Sequence, residues 1–140
     1  MKSKLFLDTN IMLDLLGERL PHYDSIAKIA TLADKGEITI VVSALSYATV
    51  AYLLSKYENM EKVKDKLRKF SIISEISDLD DKTVEKGLNS EFSDFEDALQ
   101  YFCALKSDCH VFLTRNQKDF KTAEIPVMSA DEYLKSIHRK

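Results

Sequence analysis

The sequence predicts an α/β fold, a parallel sheet with helices on both faces, from three observations. Leu5-Phe6-Leu7 is a continuous apolar run that stops abruptly at Asp8, as expected of a strand buried on both sides. Ile38–Val42 and His110–Thr114 are β-branched or apolar runs of similar length. The stretches between them carry apolar residues at helical spacing, so strands and helices alternate.

Asn10 is a plausible N-cap for a first helix through Ile11, Met12, Leu15 and Leu16, which Gly17 can close. Leu20-Pro21 makes a turn. His22 to Lys35 then places Ile26, Ile29, Ala30 and Ala33 on one helical face, with Gly36 as a stop signal. After the second strand, Ser43 or Ser46 caps a helix running to about Tyr57. Its apolar residues (Leu45, Ala48, Val50, Ala51, Leu53, Leu54) surround most of it and predict burial. Asn59–Lys69 is amphipathic, with Met60, Val63, Leu67 and Phe70 inward and a lysine-rich outer face, the ordinary pattern of a solvated helix.

Ile72–Ile76 reads as a third strand and Asp80–Asn89 as a short acidic helix. In Glu91–Lys106, Ser93 and Glu96 match a capping box, which starts the next helix there. The fourth strand, His110–Thr114, runs into the polar loop Arg115–Phe120. Ile125–Met128 is short and β-like, and Asp131–His138 is a terminal helix.

At 140 residues the chain is expected to form one domain over 1–140, with a core of ordinary size. Only 3 Gly and 2 Pro leave little room for linkers. A net charge of -3 removes any global basic field, though not a local basic rim around an acidic site. Cys103 and Cys109 form neither a disulfide framework nor a zinc spacing, and read as small buried hydrophobes. No run reaches the ~18 apolar residues of a membrane span, so the expected setting is cytoplasmic, with no membrane partner.

Acidic residues fall where open α/β sheets place their chemistry, beyond the C-terminal ends of strands. Asp8 ends the first strand. Asp94 and Asp97 share one face at a helix start, and Asp119, with Asn116 near it, lies beyond the fourth strand. If the first and fourth strands are neighbours, these groups converge. Each has a plainer reading, as a turn residue, a helix-dipole acid or a loop carboxylate. As a cluster they repel unless a cation neutralises them, and oxygen-only donors without His or Cys favour Mg²⁺ or Mn²⁺ over zinc.

Leu7-Asp8-Thr9-Asn10, Phe95-Glu96-Asp97-Ala98-Leu99-Gln100 and Thr114-Arg115-Asn116-Gln117-Lys118-Asp119-Phe120 resemble the signature blocks of PIN domains, particularly the VapC-like toxin ribonucleases. The resemblance covers nearly the whole chain in order and spacing. It implies a three-layer α/β/α PIN-like fold with a central parallel sheet of four to five strands. It also implies a Mg²⁺- or Mn²⁺-dependent endoribonuclease acting on single-stranded RNA, often a homodimer and often inhibited by a small antitoxin protein.

Carried over by position, Asp8, Asp97 and Asp119 are the catalytic acids and, with Asp94 and Asn116, the metal ligands. Asn10, Thr49 and Thr114 would support them by hydrogen bonding, with Asn10 orienting Asp8. Arg115 and Lys118, in the loop beside the acids, are the candidate contacts to RNA phosphate. One position departs from the family. Where a glutamate is expected one turn into the helix after the second strand, this chain has Thr49, and no acid lies between Glu37 and Glu58. A hydroxyl there brings no charge, which opens the alternative of a catalytically impaired PIN-fold RNA- or protein-binding module. A dehalogenase-like phosphatase would need a second aspartate at position 10, and a receiver domain would need one ending the third strand; neither is present.

Overall fold

The computed structural model describes residues 2–138. The strands β1 (Ser3–Leu7), β2 (Ile38–Ser43), β3 (Ser74–Ser77), β4 (Val111–Leu113) and β5 (Val127–Met128) form a five-stranded sheet in the order β3-β2-β1-β4-β5. Every pairing is parallel. The helices are α1 (Thr9–Leu16), α2 (Tyr23–Asp34), α3 (Ala44–Leu54), α4 (Met60–Ile72), α5 (Asp81–Leu88), α6 (Phe95–Lys106) and α7 (Ala130–His138). This is the three-layer α/β/α arrangement that the alternation of elements predicts.

The two-residue period of the strands sorts their side chains into two cores. Leu5, Leu7, Ile40, Val42, Val111 and Leu113 pack under α1–α4 and α7. Phe6, Val41 and Phe112 face the other way, against Tyr101, Cys103 and Ala104 of α6. Pairing of Phe6 with Phe112 across β1 and β4 stacks their rings at 5.3 Å, and Phe120 closes on Phe112 at 4.5 Å. Central strands therefore bury both faces, which explains their unbroken apolar runs. Both cysteines are buried and free, and burial pushes the Cys109 thiol up to about 12. Among the described residues no helix is long and apolar enough to cross a membrane.

Several local expectations are corrected. The cap of α1 is Asp8, not Asn10: its carboxylate accepts the Thr9 N–H at 2.8 Å. The cap of α6 is Asp94 rather than Ser93, accepting the Asp97 N–H at 2.9 Å. In both places two capping residues lie within two positions of each other, and the carboxylate wins. Ser43 caps α3, which ends at Leu54 instead of Tyr57. Nor is α3 buried all round. It lies in an outer layer, where Ser46, Val50 and Leu54 face inward while Ala44, Ala48 and Tyr52 meet solvent. Helix α4 runs on through Ile72, so the third strand starts two residues late, as an edge strand with Ile76 half exposed.

Candidate active site

β1 and β4 are neighbours, so Asp8 and Thr114, each the first residue past its strand, emerge side by side. The Asp8 N–H donates to the Leu113 carbonyl at 3.0 Å, and the Thr114 hydroxyl donates to Asp8 Oδ2 at 2.8 Å. With Oδ1 taken by the Thr9 amide, both carboxylate oxygens of this 6 % exposed residue are oriented by the protein. Asn10, expected to orient Asp8, makes neither bond. Its place is taken by Thr9 and Thr114 because their donors sit at the ends of the two paired strands.

Burial pushes the Asp8 carboxyl up, against the two hydrogen bonds that favour its ionised form. The charge of Asp94 raises it further and that of Arg115 lowers it. Asp97 is pushed up to about 7, first by burial and then by the charges of Asp94, Asp8, Asp119 and Glu96. Glu96 is raised as well, by burial and by Asp94 and Asp8. The acids predicted from three separate segments thus share one electrostatic environment at the C-terminal edge of the sheet. Glu96 joins them, although its capping-box pattern with Ser93 had suggested only a local role.

Asp119 lies in a 3-10 turn at Gln117–Phe120 and is exposed, its N–H bonded to the Asn116 carbonyl at 3.0 Å. The Asn116 backbone N–H donates to Thr114 Oγ1 at 3.1 Å, so the Thr114 hydroxyl links the loop to Asp8. Thr49 is half-buried on α3, one turn beyond Ser46. The Ser46 hydroxyl contacts Thr9, so this face of the helix is turned toward the start of α1.

All the acids supply oxygen donors, and burial, followed by their mutual charge, pushes the Asp97 carboxyl up to about 7. A donor set of that kind fits a hard divalent cation, whose charge would relieve the repulsion. Among the described residues no three Asp, Glu, His or Cys side chains are arranged as a ready-made metal cage.

Arg115, a candidate phosphate contact of this loop, is partly exposed and also engages a buried acid. Its guanidinium lies against Asp14, a carboxylate on α1 with no solvent exposure, Nε standing 2.9 Å from Oδ2 without the alignment of a hydrogen bond. Arg19 Nε reaches the other Asp14 oxygen at 3.1 Å, and Arg115 Nη1 lies 3.2 Å from His22 Nε2. Lys118 is exposed. Asp14 was passed over in the sequence because it interrupts an apolar run, Ile11 to Leu16, that otherwise reads as a plain core helix.

The chain matches the PIN domain family over residues 4–118. It is 28% identical over 136 residues to Ribonuclease VapC1 of Aquifex aeolicus, covering 94% of this chain and 93% of that protein. Among solved structures, a toxin-antitoxin complex from Klebsiella pneumoniae is 25% identical with a TM-score of 0.66, covering 91% of this chain and 98% of that one. VapBC2 from Rickettsia felis, solved bound to a DNA fragment from its promoter, has the same fold. It is 24% identical with a TM-score of 0.67, over 90% of this chain and 97% of that one. A family match over four-fifths of its length, on the fold that its strand order predicts, makes this chain a member of the PIN-domain family.

Proposed function

We propose that the protein is a Mg²⁺- or Mn²⁺-dependent endoribonuclease acting on single-stranded RNA, and the toxin of a toxin–antitoxin pair. The observation that carries this reading is the shared electrostatic environment of Asp8, Asp94, Asp97 and Asp119, in a chain alignable over nearly its whole length with a ribonuclease. Its relatives named as toxin–antitoxin complexes support a small antitoxin protein as the partner. A homodimer is part of the same proposal.

In this reading Asp8, Asp97 and Asp119 are the catalytic acids, and Asp94, Asn116 and Glu96 are proposed to add oxygen donors. A bound divalent ion would supply the charge that lets the carboxylates ionise together and would activate water for attack on the phosphodiester. The chain's own part is orientation. Thr114 and the Thr9 amide fix Asp8, while the Asn116–Asp119 turn carries its acid on the loop that Thr114 anchors. Incubation with mixed single-stranded RNA should give internal cuts with Mn²⁺ or Mg²⁺ and none in EDTA. Intact RNA under all three conditions would favour the binding-module reading, which Thr49 supports.

Lys118 is proposed to contact phosphate beside this site. Lys118→Glu should weaken RNA binding and reduce its logarithmic salt slope by about 1, as for loss of one phosphate contact. An unchanged slope in fluorescence anisotropy would remove Lys118 from the RNA path.

Thr49 is proposed to face the acids, in place of a charged ligand. Thr49→Glu should tighten Mn²⁺ binding by about tenfold, roughly 1.4 kcal/mol, and raise RNA cleavage. If position 49 pointed into the core instead, an unpaired carboxylate would cost several kcal/mol and the variant would unfold. Calorimetry and a melting curve separate the two by sign.

A further inference from the structure

Below Asp8 lies a polar cluster that the proposed chemistry does not use. Gln100 and Ser46 have no solvent exposure and Thr9 is 6 % exposed, yet the three side chains meet inside otherwise apolar surroundings. They come from α6, α3 and the first residue of α1. Gln100 Nε2 donates to Thr9 Oγ1 at 3.0 Å and to Ser46 Oγ at 3.1 Å. The Ser46 hydroxyl reaches Gln100 Oε1 at 3.4 Å, and the two hydroxyl oxygens stand 2.8 Å apart.

Only one arrangement makes all of these contacts hydrogen bonds. Both amide protons are committed to the hydroxyl oxygens, and the Ser46 proton goes to Gln100 Oε1, so the Thr9 hydroxyl must donate to Ser46. With the amide turned over, its oxygen would stand 3.0 and 3.1 Å from two hydroxyl oxygens that are themselves 2.8 Å apart, and two protons cannot bridge all three contacts. The cluster is therefore a closed ring with a fixed direction, and each buried donor is satisfied.

Its position matters more than its stability. Thr9 is the residue whose N–H holds Asp8 Oδ1. Gln100 is one helical turn beyond Asp97, and Ser46 one turn before Thr49. The ring thus ties together the starts of the three helices on which Asp8, Asp97 and position 49 stand. We propose that Gln100 is a positioning residue that sets the separation of Asp8 from Asp97, acting through Thr9 and Ser46. Its bearing on metal affinity rests on reading the acidic cluster as a divalent cation site.

The test uses the full chain as wild type, Gln100→Met, Thr9→Val, Thr9→Ser and Asp97→Asn. Gln100→Met keeps length without donors; Thr9→Val keeps shape without the hydroxyl, which Thr9→Ser retains. Two quantities are read: amide hydrogen exchange in EDTA, and Mn²⁺ affinity by calorimetry. Gln100→Met and Thr9→Val should each speed exchange of the Thr9 amide at least tenfold and weaken Mn²⁺ binding at least tenfold. The Phe70 amide in distant α4 should exchange as in the wild type, and Thr9→Ser should stay within threefold of wild type throughout. Unchanged Thr9 protection in Gln100→Met overturns the proposal, as does a uniform loss that includes α4, which would mark a merely structural role. Mn²⁺ affinity unchanged in Gln100→Met but lost in Asp97→Asn also overturns it and leaves the cation site standing. If the wild type itself binds no Mn²⁺, the cation-site reading fails, and the exchange of the Thr9 amide still decides the positioning role.

Discussion

Asp97→Asn is expected to melt higher than the wild type in EDTA at pH 7.5, and to cut no RNA. Burial first, and then the field of four other carboxylates, push the Asp97 carboxyl up to about 7 from an ordinary value of 3.8. Between those two values the folded protein holds a proton that the unfolded chain has released. Stability is therefore full below about pH 4 and is lost as pH rises to about 7. Asparagine carries no such charge, so the advantage of the variant should grow through that window and then level off. Asp97 is substantially open to solvent, and screening reduces the effect to about 1 kcal/mol, or roughly 3–5 °C in melting temperature. Melting curves in EDTA at pH 4, 5.5, 7 and 8 check it. Equal melting temperatures at all four would mean that the fold does not raise the Asp97 carboxyl.

Replacing both Arg19 and Arg115 by Met should destabilise the fold by about 3–5 kcal/mol, because it strands a fully buried carboxylate without a cation. Asp14→Leu alone should cost less, since both guanidinium groups are partly exposed and can turn to water. Combining all three replacements should recover most of the loss, because an apolar cluster of similar volume needs no compensation. Urea denaturation of the three variants measures this ordering. A double variant that loses under 1 kcal/mol would show that Asp14 finds another partner. The same network places Arg115 against Asp14, and its charge also lowers the Asp8 carboxyl.

What the sequence could reveal depended on the range of the signal. The run Leu5-Phe6-Leu7 ending at Asp8 is local, and both strand and site position follow from it. The adjacency of β1 and β4, on which convergence of the acids depends, was legible as a condition that the strand order fulfils. Local patterns were less decisive where two residues compete for one task, as Asn10 with Asp8 and Ser93 with Asp94 at helix caps. Helix α3 looked buried because composition counts apolar residues without saying which layer receives them. The contacts of Asp14 with Arg115 and of Gln100 with Thr9 join residues about a hundred positions apart. No local periodicity marks such pairs. Their only trace in the sequence is a lone polar residue on an apolar face, Asp14 among leucines and Gln100 between Leu99 and Tyr101.

The central claim, that the carboxylates at the sheet edge form one divalent cation site, is tested most directly by calorimetric titration of Mn²⁺ into the wild type and Asp8→Asn at pH 7.5. Asp8 is the one acid of the cluster already oriented at both oxygens, so its loss should remove the site without disturbing the exposed acids. The account predicts saturable binding by the wild type and at least a tenfold loss of affinity in the variant. Equal binding by both proteins, or none by the wild type, would contradict it.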